Sequence, residues 1–358
     1  MKEQKKETKE QKKEEKEKNT EEITTKKNEI PYKTGKFLVT GCAGFIGCFT
    51  AKKLLEHNFE VIGIDDLNDY YDVKLKKFRL DILKSFRKFT FSELDISKKD
   101  EVFSLKGEKL ECILNLGARA GVRASIKNPQ IYVDVNITGT LNLLSLCVEN
   151  SIEKFVLAST SSVYAGVKAP FKESAKTDSP LSPYAATKKS AELLAYTFHK
   201  LYKIDITIPR YFTVYGPAGR PDMSIFRFIK NIMEGNPIII YGDGKQKRDF
   251  TYIDDIVEGT IKGTKKLGYK IINLGNSRPV ELMYVVRLIE ENLGKKAKII
   301  FEKPNPADLP ETCADITRAK KILHWEPKTP IEEGIKKTCE WFIENKEFIK
   351  TISTEEKI

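Results

Sequence analysis

The stretch "KFLVTGCAGFIGCF" (residues 36–49) runs from a short apolar strand into three spaced glycines and then into a helix. Gly41 permits a tight turn, Gly44 lets the backbone approach a pyrophosphate closely, and Gly47 lets the helix pack on the strand. The phosphates belong at the helix N-terminus, where unsatisfied N–H groups and the helix dipole favour anions, with Phe45 and Ile46 in the opening turn beside them. The spacing is GxxGxxG, and the flanking strand and helix supply the context that a bare glycine motif lacks.

The next strand, "VIGIDD" (residues 61–66), ends in Asp65. A carboxylate at that point accepts hydrogen bonds from the adenosine ribose and repels a 2′-phosphate, which favours NAD over NADP. Asp95, in "ELDI" (residues 93–96), is a candidate adenine contact or an ordinary loop aspartate. Further apolar runs follow at "FTFSELD", "ECILNL", "KFVLAS" and "IDITIPR", alternating with helical-period segments near 45–56, 131–149 and 182–194. Such alternation predicts repeated βαβ units and an α/β fold: a doubly wound parallel sheet of the Rossmann type. After about residue 212, loops rich in Gly and Pro mix with helices expected near 224–234, 253–266 and 280–293, the texture of a smaller C-terminal substrate-binding α/β lobe. The expected divisions are 1–34 (charged tail), 35–212 (NAD-binding), 213–345 (mainly substrate-binding) and 346–358 (C-terminal tail).

The chain has 358 residues and 40% hydrophobic content, enough for a sizeable core. Residues 1–34 carry eleven lysines against nine glutamates and few large apolar groups, so they are expected to be disordered. The tail accounts for +2 of the net +11, so most of the basic balance belongs to the rest. Such a charge suits anionic small molecules as well as nucleic acid, and a mixed-sign tail is more often a solvated segment than a nucleic-acid arm. No signal-peptide h-region or acid-free transit segment is present, and no apolar run is expected to reach a membrane span of about 18 residues. Cys42, Cys48, Cys112, Cys147, Cys313 and Cys339 form no CxxC pair, and His57, His199 and His324 stand apart from ligand clusters, so no metal is expected. A cytoplasmic location follows by default.

"SPYAATKKSAELL" (residues 182–194) places Tyr184 four residues before Lys188, about one helical turn, so both project from one face. A cation held near the phenol brings a poor base toward the working range. YxxxK alone is a weak signal, but the strand "KFVLAS" upstream ends in the hydroxyls Thr160, Ser161 and Ser162, at the sheet edge where ligands bind in such folds. Together the glycine turn, the acidic strand end, the hydroxyl cluster and YxxxK resemble the extended short-chain dehydrogenase/reductase family of nucleotide-sugar epimerases and dehydratases, over roughly residues 36–342. Within it, "GIDDLNDYYDVKLKKFRL", "AGVRASIKNPQIYVDVNITGTLNLL", "RYFTVYGPAGRPDM" and "KQKRDFTYIDDIVEG" are most similar to UDP-glucuronate 4-epimerases.

The resemblance implies that Tyr184 is the base, that Lys188 binds the nicotinamide ribose and tunes Tyr184, and that Thr160 bonds the sugar's 4-hydroxyl. It places Ser161, Ser162, Asn136, Thr213 and Asp308 on the UDP-sugar, Arg248 on its diphosphate and Arg220 on the glucuronate carboxylate. It also implies a homodimer through helices that include the one bearing Tyr184. Dehydratases of this family follow the threonine with Asp-Glu and related decarboxylases carry a nearby Glu; here Ser161 and Ser162 stand instead, which disfavours both. Departures from the pattern are Asn115 for His, Gly117 for Ala, Arg119 for Gln, Asp66 for Asn and Ala218 for Trp. Arg119 is open to two readings, a phosphate contact or a solvent-facing side chain. Two alternatives remain: an epimerase of UDP-glucose, UDP-N-acetylhexosamine or another nucleotide sugar, and a non-catalytic NAD- or nucleic-acid-binding protein using the charged tail.

Overall fold

The large sheet is built from β1 (Lys36–Thr40), β2 (Glu60–Asp65), β3 (Phe89–Glu93), β4 (Cys112–Asn115), β5 (Lys154–Leu157), β6 (Asp205–Tyr211) and β7 (Tyr269–Leu274). Their spatial order is β7-β6-β5-β4-β1-β2-β3, and the short strand Ser159–Thr160 extends the sheet beside β6. Every neighbouring pair is parallel. The structure, a computed structural model, describes Tyr32, residues 34–303 and residues 309–355. Almost all of the predicted tail, Asp308 and the last three residues therefore lie outside the described part.

The four helices that matter most here are α1 (Phe45–Glu56), α2 (Val73–Lys84), α3 (Gly139–Glu149) and α4 (Pro183–Tyr202). β4 and β5 are buried along their whole length, which explains why they read as continuous apolar runs rather than alternating ones. Leu38, Ile62, Ile113, Phe155 and Ile206 from the strands pack with Leu143 and Leu144 of α3 and with Ala191 and Ala195 of α4. Burying each large aliphatic side chain contributes about 1.5–3 kcal/mol before entropy is counted. From β1 the chain winds outward to β2 and β3, then returns to β4 on the other side. The carboxyl ends of β1 and β4 thus flank the point where the winding reverses, the place at which ligands bind in open parallel sheets.

Three of the differences from the sequence reading bear on the sheet and the helices against it. α2 was not foreseen, because its buried face consists of Leu75, Lys76, Arg79, Leu80 and Leu83, and two cations interrupt the apolar period. β7 comes from the stretch assigned to the second lobe, yet it pairs with β6 from Tyr269 to Leu274. Only its last three residues are fully buried, which blunts its strand signature. Finally, Pro129–Glu149 is helical throughout, with a π-helical turn at Val133–Thr138, and is long and apolar enough by composition to cross a membrane. That corrects the expectation that no run reaches this length; here Leu143, Leu144, Leu146 and Cys147 of the run lie in the core.

Among the described residues, the helices Ser224–Glu234, Ile253–Lys262, Leu282–Leu293 and Ile331–Glu344 and three two-stranded sheets make up most of the remaining C-terminal half. The described residues from Thr34 onward form one compact unit. Buried Trp325 fixes one loop of this half by donating its indole N–H to the Asp255 carbonyl at 2.8 Å.

Candidate active site

The glycine turn leaves no room for side chains. Gly41 has φ +65°, and a Cβ there would lie 2.7 Å from the Gly117 backbone; one on Gly47 would lie 2.0 Å from the Gly41 carbonyl oxygen. The Gly44 N–H closes the turn by donating to that same oxygen at 2.9 Å. Gly44 is also the N-cap of α1 and offers no side-chain cap, so the first-turn N–H groups have no side-chain acceptor there. Gly41, Gly44, Phe45, Ile46 and Gly47 form one end of a large cavity at the carboxyl edge of the sheet.

Asp65, at the end of β2, is 7% exposed. Its Oδ2 accepts from the Ala43 N–H at 3.1 Å and its Oδ1 from the Leu67 N–H at 2.9 Å, with Lys76 Nζ 3.6 Å from Oδ1. Burial pushes its carboxyl above the usual aspartate range, opposed by Lys76 and the two N–H groups. Each carboxylate oxygen has acceptor capacity left for a ribose hydroxyl. Asp95 lines the cavity too, with its Oδ1 occupied by the Ser97 N–H and hydroxyl at 2.9 and 2.7 Å.

α4 starts cleanly because Ser182 caps it, accepting from the Ala185 N–H at 3.2 Å, and Pro183 occupies the first turn, where its missing N–H costs nothing. One turn in, Tyr184 and Lys188 both line the cavity, joined from the sheet edge by Thr160. Burial raises the Tyr184 phenol above the ordinary tyrosine range. The opposing pull comes from the Thr160 hydroxyl and the Arg220 cation, not from Lys188 as the spacing suggested. Lys188 is 3% exposed, and burial drags its ammonium down to about 8 against the pull of Glu192 one turn further on. Glu192 is itself buried: burial works against its charge, but Arg210, at 2.8 and 2.6 Å, and the Ser159 hydroxyl at 2.7 Å hold it below the usual glutamate range. A buried pair of this kind resists the loss of either partner, at a cost of about 3–5 kcal/mol.

Lys188 therefore carries a stability penalty. The fold disfavours its charged form, so stability is undiminished above the free-lysine value of about 10.4 and falls as pH drops through about 8. Lys188→Met is expected to stabilise the chain at pH 7 by on the order of 3 kcal/mol at most, with the gain fading as pH approaches 10. Thermal melts of the two proteins at pH 7 and pH 10 read this directly; a lower melting temperature for the variant at pH 7 contradicts it.

Arg220 completes the cavity wall. Its Nε and Nη2 donate to both oxygens of Asp222 at 3.0 and 2.5 Å, and its guanidinium lies 5.8 Å from the centre of the Tyr70 ring. With Nε and Nη2 turned to Asp222, Nη1 is the edge left for another partner. Arg119 approaches the same ring at 5.3 Å while its Nη1 donates to Asn68 at 2.6 Å, so it lines the cavity and does not reach out to solvent. Asn115 is spent internally, accepting from the Thr40 hydroxyl and donating to Thr140.

The glycine turn, a YxxxK helix and a threonine at the end of the central strands share one cavity, and comparison with known proteins agrees. Residues 37–275 match the model of the NAD dependent epimerase/dehydratase family. The chain belongs to that family. It is 55% identical over 320 residues to a UDP-glucuronate 4-epimerase of Thermodesulfobacterium geofontis, covering 89% of this chain and 99% of that one. The Bacillus cereus UDP-glucuronic acid 4-epimerase solved with UDP-glucuronic acid and NAD superposes with TM-score 0.81 at 37% identity, over 86% of this chain and 99% of that one. The Thermotoga maritima UDP-glucose 4-epimerase with UDP-glucose superposes with TM-score 0.78 at 31% identity, over 87% and 99%.

The epimerase fold accounts for the cofactor end. The tight glycine turn lining the cavity, the uncapped start of α1 and the carboxylate of Asp65 fit a dinucleotide diphosphate and its adenosine ribose. Several expected sugar-nucleotide residues are not part of the same lining. Ser161 and Ser162 open a 3₁₀ turn just past Thr160, and Ser162 binds Thr160 through its N–H at 3.1 Å. Asn136 is 2% exposed and uses its whole amide on Arg119 and Thr187. Thr213 begins a short strand beside Phe250. Arg248 sits on the strand Lys247–Arg248 next to Asp249, whose buried carboxylate takes N–H groups from Asn276, Ser277 and Ala314. Asp308 lies outside the described residues. Tyr70, Lys76 and Met223 line the cavity without having been singled out. The signal for Lys76 was present in the charged residues on the core-facing stripe of α2.

Proposed function

We propose that this epimerase inverts C4 of UDP-glucuronate to give UDP-galacturonate. The observation that carries the reading is Arg220, which lines the same cavity as Tyr184, Thr160 and Lys188. A buried sugar carboxylate requires a cation or donors, and a neutral UDP-hexose does not. The turn from Gly41 to Gly47 would hold the NAD diphosphate, Asp65 and Asp95 the adenosine, and Lys188 the nicotinamide ribose. NAD, when bound, supplies a reversible acceptor for the hydride at C4. The Tyr184 phenol oxygen exchanges a proton with the sugar O4, and Thr160 orients that hydroxyl. Lys188 keeps a cation beneath the site as the phenolate forms. The oxidised sugar is a ketone next to a carboxylate-bearing carbon, a β-keto acid, so Arg220 both selects the uronate and restrains loss of carbon dioxide. Ser161, Ser162, Thr213, Arg248 and Asp308 would meet the UDP moiety or the sugar from the walls beyond, with Asn136 acting through the Arg119 backbone that it holds.

Two further parts of the reading rest on surface and core. Leu141 and Val148 on α3 and Leu193 and Tyr196 on α4 are 38 to 56% exposed at helical spacing, an apolar face suited to a second copy of the chain. Sedimentation giving a single-chain mass would remove the dimer. A cytoplasmic setting is supported by the packing of Pro129–Glu149 against the core, and fractionation of the source cells tests it.

Incubating the purified chain with UDP-glucuronate and no reductant is expected to yield UDP-galacturonate by proton NMR. Turnover of UDP-glucose alone would retain the epimerase and discard the uronate.

A further inference from the structure

Arg79, on α2, is fully buried, and its five N–H donors make five hydrogen bonds, all to neutral oxygens. Nε and Nη2 donate to the Ala218 carbonyl at 2.9 and 2.8 Å, and Nη2 also donates to the Gly219 carbonyl at 2.8 Å. Nη1 donates to the Ala43 carbonyl at 3.2 Å and to the Tyr71 phenol at 2.8 Å. The guanidinium also lies 5.8 Å from the Phe45 ring centre and 5.6 Å from that of Tyr71. A buried cation is ordinarily compensated by a carboxylate. This one is solvated instead by the Tyr71 hydroxyl and the main chain of two segments far apart in sequence, the glycine turn and the residues just before Arg220.

The second loop needs holding. Ala218 has φ +49°, a left-handed conformation that costs a residue with a Cβ about 1 kcal/mol or more, and its carbonyl receives two of the five bonds. Gly219 also lies over Phe45, where an added Cβ would come within 3.8 Å of the ring. A shift of the glycine turn therefore reaches the Arg220 loop through Arg79 and Phe45, and the reverse holds equally.

We propose that Arg79 is a positioning residue that couples the cofactor turn to the Arg220 loop, so that filling one strengthens binding at the other. The inference rests on the reading of Arg220 as the partner of the uronate carboxylate. Coupling is reciprocal in equilibrium binding, and values of about 5- to 150-fold are common between sites.

The test is calorimetry of NAD binding to the NAD-depleted chain, alone, with saturating UDP, and with UDP-glucuronate brought to epimer equilibrium. In wild type, UDP-glucuronate is expected to tighten NAD binding about fivefold or more beyond the effect of UDP. Arg79→Met is expected to bring that factor within about twofold of one and to weaken UDP-glucuronate about tenfold, while UDP alone changes little. No coupling in wild type, coupling retained in Arg79→Met, or an equal loss for UDP and UDP-glucuronate each overturns the proposal, the last because it is what a purely structural residue would do. Should Arg79→Met fail to fold, Tyr71→Phe removes one acceptor and leaves four bonds. Part of the coupling is then expected to disappear, and full retention overturns the proposal. If wild type binds only a neutral UDP-hexose, the substrate reading falls, and loss or retention of coupling with that sugar still decides the role of Arg79.

Discussion

Tyr184→Phe is expected to lower kcat by about a thousandfold or more while UDP-glucuronate binds within a few fold of wild type. The substitution deletes one oxygen from a half-buried ring that packs edge-on against Tyr132 at 6.2 Å, so the aromatic cluster is kept and only the proposed proton carrier is lost. Positioned acid–base groups contribute roughly 10²- to 10⁴-fold, and the Tyr184 hydroxyl combines a place beside Thr160 with the pull of the Arg220 cation. Wild-type kcat should rise with pH, because burial holds the phenol above the ordinary tyrosine range and base accumulates only as protons leave. The rise should bend near the value of about 8 at which Lys188 gives up its charge. Stopped NMR assays across pH 6 to 9 would show both limbs. A Tyr184→Phe enzyme within tenfold of wild type would remove the tyrosine from the chemistry.

The second large effect is selective. Arg220→Met should lower kcat/KM for UDP-glucuronate roughly a hundredfold or more, since losing one member of a buried charge pair costs about 2–5 kcal/mol, while UDP-glucose turnover holds or improves. Part of the loss would come from Asp222, whose side chain is only 3% exposed and would be left unpaired and repelling the uronate. The double variant Arg220→Met/Asp222→Asn separates the two contributions. It should recover stability but not uronate selectivity, because the repulsion goes while the attraction is still missing. Equal losses for charged and neutral sugars would mean that Arg220 supports the loop and does not read the substrate. Lysine at 220 is not a substitute, since it cannot hold Asp222 through two parallel bonds and keep an edge for the sugar.

The parts of this site that the sequence made legible are those in which one backbone requirement meets one residue type. A glycine turn is such a case, because only glycine tolerates φ +65° with the neighbouring backbone under 3 Å away. YxxxK on a capped helix is another, because one helical turn fixes both side chains on a face. What escaped was chemistry carried by packing. Lys76 and Arg79 look like surface cations in the string, and only the position of α2 against the glycine turn makes them interior. The source of the pull on Tyr184 was equally hidden, since Arg220 is 36 residues away in sequence. Asn136 shows the converse: a polar residue in a matching motif is buried and bonded to the Arg119 backbone and the Thr187 hydroxyl.

The entry of β7 into the main sheet bears on how such enzymes can be recombined. A chimera cut near residue 212 would set a foreign strand against the β6 edge, across a pairing that runs from Tyr269 to Leu274. It would also divide Tyr164 from Asn273, whose amide oxygen accepts its hydroxyl at 2.7 Å. The chain has no detachable specificity module. Transplanting sugar preference between relatives is better done by grafting the short loop around Arg220, together with the α2 residue that anchors it, than by shuffling halves.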